Sequence, residues 1–213
     1  MSPAMSPESP VQIAGEATAA AADADTAQLS GVLLDAAEQC FARFGLRKTT
    51  MEDVARAGGV SRATLYRYFK NRDELLLGVV EREARATAEI IKTRLEGIDH
   101  PGEHLVEGFI ATLDEIPKHP TLAMVVDPDS AGMTSRLVLN SERLANIALE
   151  IMLPVMQPAQ ERGLLRDNVD VAAMIEWIYR LLSSYLAVPS ATASNREELK
   201  QQLRAMLLPA ILR

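Results

Sequence analysis

Cysteine is almost absent from this sequence, since Cys40 is the only one in 213 residues. A disulfide framework is therefore excluded, and a chain of this length can bury a core without covalent staples. Cys40 lies among apolar positions of a predicted helix, and no histidine is near it in sequence. We interpret it as a small buried hydrophobe in a reducing compartment, not as a catalytic nucleophile.

Long apolar runs and alternating β-branched runs are also lacking. No stretch of about 18 residues is free of charged and polar breaks, and the N-terminus has no basic start followed by an apolar run. The sequence therefore predicts neither a membrane span nor a secretory signal, and we expect a soluble, cytoplasmic protein with no membrane partner. Helical spacing dominates instead, which predicts an all-α fold.

Histidine is scarce, with three in the chain. His100 and His104 straddle Pro101 and Gly102, so they do not share one regular helix face, and His119 falls in a predicted turn. Clustered acids, metal ligands and an activated nucleophile are all missing from the pattern. We therefore predict no catalytic residues, no metal and no cofactor, and an enzyme is poorly supported.

Charge is distributed unevenly along a chain whose net charge is -7. Residues 1–28 carry 4 acidic and no basic groups, whereas residues 29–72 carry 8 basic and 4 acidic groups and the remainder is acidic again. One short basic segment inside an acidic protein is the pattern expected if only that segment meets phosphate.

The chain divides into three predicted regions. Residues 1–28 are rich in Ala, Ser and Pro and lack an apolar period, which predicts a disordered tail. Residues 29–75, which contain the basic segment, predict a small domain of short helices. Residues 76–213 predict a larger helical domain. Within it, Pro154 and Pro158 should kink or split a helix that begins near residue 134.

A helix-turn-helix pattern occupies the segment LRKTTMEDVARAGGVSRATLYRYFKNRDELL, which begins at Leu46. Thr50 and Asp53 form a capping box for one short helix, and Ser61 caps the next. Gly58 and Gly59 lie in the three-residue turn between them. This spacing, with a basic second helix, places the second helix in a DNA major groove.

Groove-facing residue types stand opposite the apolar Leu65 and Phe69 of the second helix. Arginine can bond guanine, small methyl groups can contact thymine, and hydroxyls can reach phosphates. The start of the preceding helix favours a phosphate. The predicted DNA-binding residues are Lys48, Thr49, Thr50, Arg62, Ala63, Thr64, Tyr66, Arg67, Tyr68, Lys70 and Arg72. The alternatives are that Tyr66 and Tyr68 pack the small domain and that Arg67 belongs to a solvated face.

The segment TTMEDVARAGGVSRATLYRYFKNRDELL and the apolar helix before it resemble the TetR family of transcriptional regulators over roughly residues 29–80. The resemblance implies base contacts from Arg62, Ala63, Thr64 and Arg67, and phosphate contacts from Thr50, Tyr66, Tyr68 and Arg72. It also implies that residues 29–75 are a three-helix helix-turn-helix DNA-binding domain and that residues 76–213 are a helical effector-binding and dimerisation domain, with about nine helices in all. Repression is the usual mode of action that it implies. After about residue 85 only the helix count and lengths are compatible.

The last two predicted helices, near 170–188 and 195–212, carry apolar residues on more than one face, including Trp177, Leu181, Leu208 and Ile211. A monomer does not need two apolar faces on a surface helix, so a partner is implied. In the family these helices pair with their symmetry mates, which predicts a homodimer. Its operator should be palindromic double-stranded DNA, with half-sites roughly 34 Å apart.

A small hydrophobic effector is a weaker prediction. Apolar and sulfur-containing side chains crowd the middle helices, and Met adapts to irregular surfaces. The candidate ligand-binding residues are Phe109, Leu113, Met124, Met133, Ile151, Met152, Met156, Trp177 and Tyr179, and an ordinary core is the alternative for each. The long helix after Arg72 would connect the effector site and the DNA site.

The remaining alternative function is a helical protein-interaction adaptor without sequence-specific DNA binding. The basic residues Arg62, Arg67 and Lys70 argue against it.

Overall fold

The structure is a computed structural model that describes residues 10–126, 137, 141–188 and 190–213. The described residues form α-helices without a β-strand, as predicted, and none of these helices is long and apolar enough to cross a membrane. The helices are α1 (Pro10–Phe44), α2 (Met51–Ala57), α3 (Arg62–Tyr68), α4 (Arg72–Leu95), α5 (Pro101–Glu115), α6 (Pro120–Val126), α7 (Glu142–Glu161), α8 (Val171–Ala187), α9 (Arg196–Met206) and α10 (Leu208–Ile211). A single 3₁₀ turn, Ile116–Lys118, separates α5 from α6.

Helix α1 begins earlier than expected. The sequence predicted a disordered tail through residue 28, whereas the structure continues α1 back to Pro10. A tail was predicted because this segment has no apolar period. Its composition nevertheless favours a helix, because alanine is the strongest helix former and a helix that is already nucleated extends at little cost.

The later helices are interrupted at a different place from the one that the sequence predicted. Pro154 and Pro158 lie inside α7, which stays one continuous helix from Glu142 to Glu161 and is not split. The last predicted helix is interrupted instead, since α9 ends at Met206 and α10 begins at Leu208, with Pro209 in its first turn. A proline is tolerated there because the first turn of a helix has no partner for its N–H groups.

Two apolar clusters hold the fold together. The N-terminal core consists of buried residues from α1 to α4, such as Phe41, Val54 and Leu65, and also includes Leu122 and Val125 of α6. The boundary predicted at residue 76 therefore crosses a continuous helix, and the N-terminal core reaches into the later part of the chain. Cys40 is buried in it as a free thiol, as predicted.

The C-terminal core is built around α5 and consists of residues of α5, α7, α8, α9 and α10, together with Leu165. Two ion pairs join α9 to α5. Arg204 Nη2 lies 2.8 Å from Glu103 Oε2, and Lys200 Nζ lies 2.5 Å from Glu107 Oε1. The neighbouring arginine lowers the pKa of Glu103 below its usual range. These contacts fix the end of the chain against the centre of the larger domain.

Candidate nucleic-acid interface

The first short helix of the pattern is built as the sequence predicted. The Thr50 hydroxyl accepts the Asp53 N–H at 3.2 Å, and the Thr50 N–H donates to Asp53 Oδ2 at 3.1 Å, which completes the capping box. The Thr50 hydroxyl also donates to Asp53 Oδ2, and these bonds lower the pKa of the Asp53 carboxyl. Thr50 remains exposed at the N-terminus of α2, so it is positioned to meet a phosphate.

The turn between α2 and α3 depends on its two glycines. Gly59 has a φ of 67°, in the left-handed region that favours glycine. Gly58 ends α2 close to α1, where an added Cβ would lie 3.2 Å from Leu33 Cδ2. The turn therefore brings α3 onto the N-terminal core at a set angle, as a helix-turn-helix requires.

Helix α3 has one buried face and one exposed face. Leu65 is fully buried, and Phe69, which follows the helix, is buried too. The outward residues are Arg62, Ala63, Tyr66, Arg67 and Lys70, all exposed, and Thr64, which is half-buried. The Ser61 side chain caps the helix by accepting the Thr64 N–H at 3.0 Å. The predicted base-reading residues are thus brought together on one free surface.

Three of the other predicted contacts have structural roles. Thr49 is only 2% exposed, and its hydroxyl donates to Gly45 O at 2.9 Å and to Cys40 O at 3.1 Å. These bonds give the side chain a structural role and argue against the predicted DNA contact. Its position at the start of a helix suggested a phosphate contact, but the hydroxyl instead satisfies carbonyls at the end of α1.

Arg72 and Tyr68 are partly committed to the fold, as the alternative for Tyr68 proposed. Arg72 Nε donates to Thr49 O at 3.0 Å, which ties α4 to the segment before α2. Tyr68 is half-buried and packs against the N-terminal core, with the Arg67 guanidinium 5.4 Å from the centre of its ring. Lys48 is exposed beside this region, so it remains available to an approaching backbone.

An acid that was not among the predicted site residues also faces this surface. Glu52 of α2 lies 3.6 Å from Arg62 Nη1, and its exposed carboxylate also pairs with Arg56. An exposed pair of this kind is weak, so Arg62 can exchange it for DNA. The signal was present in the sequence as an acid in the first turn of α2, where it complements the helix dipole.

The predicted effector residues do not surround one site. Phe109, Leu113, Met152 and Met156 pack together in or against the C-terminal core. Met124 and Tyr179 pack against the N-terminal core, and Ile151 packs beside a third, small cluster of α4 and α5 residues. Trp177 is 49% exposed on α8, apart from these cores, and Met133 lies outside the described residues.

A surface groove of about 520 Å³ lies elsewhere, between α7 and the start of α8. It contains none of the predicted effector residues. Three polar and two apolar residues line it: Gln157, Gln160, Glu161, Leu153 and Val171. Helical periodicity identified which side chains are apolar, but it could not tell which core each would join.

The histidines serve the fold. His100 caps α5, because its Nδ1 accepts the Gly102 N–H at 3.2 Å. His104 is buried, and its two ring nitrogens each lie 3.2 Å from a carbonyl oxygen, of Ile98 and of Ile151. The ring thereby joins α5 to α7, and the two histidines do not converge on a common point.

Comparison with known proteins agrees with this geometry. Residues 33–79, which contain the buried faces and the turn described above, match the family model described as bacterial regulatory proteins of the tetR family. Residues 33–79 form a TetR-family DNA-binding region. The family resemblance noted in the sequence is confirmed, and the helix-turn-helix between α2 and α3 is the DNA-binding unit of a TetR-family regulator.

Similar proteins extend the match beyond this domain. An uncharacterized HTH-type transcriptional regulator of Mycobacterium tuberculosis is 29% identical over 179 residues, covering 84% of this chain and 85% of its own. The HTH-type transcriptional repressor KstR2 of the same species is 26% identical over 157 residues, covering 71% and 74%. The crystal structure of FadR from Bacillus subtilis, in complex with stearoyl-CoA, superposes with a TM-score of 0.61 at 18% identity, covering 84% and 98%. The TetR-family fold therefore spans most of the chain.

Proposed function

We propose that this TetR-family protein is a transcriptional repressor that binds a palindromic operator as a homodimer and is released by a small apolar or amphipathic effector. The observation that carries the proposal is the two-faced recognition helix. Leu65 anchors α3 in the core, while Arg62, Tyr66 and Arg67 stay exposed on its other side. A helix with this division can lie in a major groove without any change to its own packing.

Similar regulators support repression of transcription over activation, because KstR2 and other relatives are described as repressors. A repressor needs only to occupy its operator, and it needs no surface that recruits polymerase. The basic segment that meets the DNA is small, so a single copy would neutralise few phosphates. Two copies related by a two-fold axis would double both the contacts and the sequence read.

The dimer face that we propose lies on α8 and α9. Trp177 is half-exposed, and Ala173 and Ser184 lie on the same side of α8. Met206 at the end of α9 is 77% exposed. Ile211, which the sequence assigned to the extra apolar face, is instead buried within its own chain, so the face is narrower than predicted.

The effector region that we favour is the contact between α5 and α7, where Phe109, Leu113, Met152 and Met156 meet. Tyr185 packs against the Phe109 ring edge to face, with ring centres 5.8 Å apart. Thioether side chains at this contact could repack around an apolar guest. The effector would act by preferring a dimer in which the two recognition helices are wrongly spaced for DNA.

The test is fluorescence anisotropy on DNA from upstream of the protein's own gene and on a random-sequence selection, at two salt concentrations. Arg62→Ala and Tyr66→Ala should each weaken binding by about 1–3 kcal/mol if they contact bases or phosphates directly. Arg162→Ala, an exposed arginine at the far end of α7, is the matched control and should bind as the wild type does.

Selective, salt-sensitive binding that both test substitutions weaken would support the proposal. Loss of a phosphate contact should also reduce the slope of log affinity against log salt by about one. Failure to select any sequence would overturn the repressor and favour the adaptor. Equal operator affinity in the presence and absence of every bound effector would overturn the release step.

A further inference from the structure

A buried carboxylate lies at the contact between the long helix α4 and the short helix α6. Glu83 of α4 is 6% exposed, and it forms no ion pair within the described residues. Its Oε1 accepts the Thr121 N–H at 3.2 Å, and its Oε2 accepts the Leu122 N–H at 2.8 Å. The charge is therefore balanced by two backbone donors at the start of α6, where the helix dipole also favours an anion.

Helix α6 touches both parts of the protein. Its Leu122 and Val125 are buried in the N-terminal core with the DNA-binding helices, and α6 contacts α1 and α4. On its other side it contacts α8, whose Tyr179 packs against the same core. Burial raises the pKa of the Tyr179 hydroxyl. Any shift of α6 would therefore change its packing against the domain that carries the recognition helix.

One polar atom at this contact has no partner. The Thr121 hydroxyl is fully buried and makes no hydrogen bond, the one such side-chain oxygen or nitrogen in the described residues. An unpaired buried hydroxyl is unfavourable, so it opposes the closed contact that the two Glu83 bonds favour. The two residues therefore act in opposite directions at one joint.

We propose that Glu83 is a latch: its buried carboxylate holds α6 against α4, keeps the DNA-binding domain in a fixed orientation to the rest of the chain, and thereby sets operator affinity. The proposal rests on the proposed function. Its physical basis is preorganisation, since a domain that is free to reorient must be ordered when two recognition helices dock on one operator. Glu83 is a positioning residue that does not itself touch DNA.

Two substitutions at this contact should have opposite effects. Glu83→Gln keeps the size of the side chain but removes the charge, and it turns one acceptor into an amide N–H₂ that faces a backbone donor. The amides of Thr121 and Leu122 should then exchange their hydrogens about tenfold faster or more. Thr121→Val replaces the unpaired hydroxyl with a methyl group, so the amide of Leu122 should exchange more slowly than in the wild type.

The first readout needs no DNA: it is the hydrogen-exchange rate of the Leu65 amide. This amide lies on the recognition helix, far along the chain from Thr121 and Leu122. If the latch couples α6 to the DNA-binding domain, Glu83→Gln will speed this exchange as well. Leu199→Ala, a truncation in the C-terminal core, serves as a control for general loss of stability. Exchange in Glu83→Gln and in Leu199→Ala is measured at temperatures equally far below the melting temperature of each variant. The Leu65 amide must then exchange faster in Glu83→Gln than in Leu199→Ala.

Operator binding is the second readout. We expect Glu83→Gln to lower operator affinity about tenfold, with an unchanged salt slope because no phosphate contact is lost, and Thr121→Val to bind at least as tightly as the wild type. Equal Leu65 exchange in Glu83→Gln and Leu199→Ala would overturn the latch, whether or not the wild type binds DNA. Unchanged operator affinity in Glu83→Gln would overturn it too, whereas a wild type that binds no operator while Leu65 still responds would overturn only the proposed function.

Discussion

Trp177→Ala should dissociate the proposed dimer without unfolding the subunit. A tryptophan side chain buries up to about 250 Å² when fully covered, so the exposed half of Trp177 offers roughly 120 Å² to a partner. Truncation to alanine removes roughly 100 Å² of this, or about 2.5 kcal/mol per subunit at 25 cal/mol per Å². A two-fold dimer loses it twice.

Incomplete coverage in the dimer lowers this figure. If half of the area is covered, the dimer loses about 2–3 kcal/mol, and its dissociation constant should rise by roughly 100-fold. Sedimentation equilibrium over a dilution series measures this constant directly. Trp177 is the only tryptophan in the chain, so its emission should also shift to the red as the wild-type dimer dissociates on dilution.

Ile90→Ala is the matched control, because Ile90 is an apolar residue of α4 with a similar exposed fraction, 45%. It should leave the dissociation constant unchanged. Equal dimerisation of Trp177→Ala and the wild type, or an equally weakened Ile90→Ala dimer, would contradict a dimer face at Trp177. Operator binding provides a further check, since a weaker dimer should need a higher protein concentration to occupy a palindrome.

Three further predictions concern the DNA-binding domain. Thr49→Val should lower the free energy of unfolding by about 1–3 kcal/mol, because the hydroxyl hydrogen bond shared by the carbonyls of Cys40 and Gly45 is lost, while operator affinity of the folded protein stays the same; thermal melts and anisotropy measure the two. Leu65→Ala should lower the free energy of unfolding by about 2–5 kcal/mol, as for other fully buried leucines, measured by urea titration. Asp53→Asn should destabilise the protein at neutral pH but not in acid: the lowered pKa of Asp53 means that its contribution is present above the ordinary value of 3.8 and is lost as the pH falls through the folded value.

Each of these has its own contrary outcome and control. A Thr49→Val protein of normal stability but weak operator binding would restore Thr49 as a DNA contact. Leu65→Met, which keeps most of the volume, should cost much less than Leu65→Ala, and equal losses would argue against a packed anchor. A stability difference between wild type and Asp53→Asn that stays constant from neutral pH to well below pH 3.8 would show that the capping bonds do not depend on the charge.

The helix-turn-helix was predictable because its signals are local. The Thr50 and Asp53 pair, the glycines of the turn and the Ser61 cap all act within a few residues of where they stand, and each appears in the structure at its predicted place. In the structure, side-chain caps of the same kind begin α4, α7, α8 and α9, at Asn71, Ser141, Asp170 and Asn195. Hydrogen bonds over three or four residues need no knowledge of the rest of the fold.

Burial of single side chains was less predictable. Thr49 and Thr50 are neighbours with the same chemistry, yet one hydroxyl is buried under the end of α1 and the other is exposed. Met156 and Met206 both follow a helical period, yet one is fully buried and the other mostly exposed. Periodicity identifies an apolar face, but the neighbour that covers that face is set by the path of other helices.

From the sequence alone we could predict a helical chain, the starts and the turn of its DNA-binding helices, and one basic segment within an acidic protein. The packing of distant helices places α6 in the N-terminal core and brings Glu83 to Thr121 and Leu122 across 38 and 39 residues of chain, and no local pattern announces either. The two kinds of feature differ in the distance along the chain over which their interactions act. Caps, turns and helix propensity act between near neighbours, whereas the burial of a charge depends on which distant backbone donors the packing brings to it.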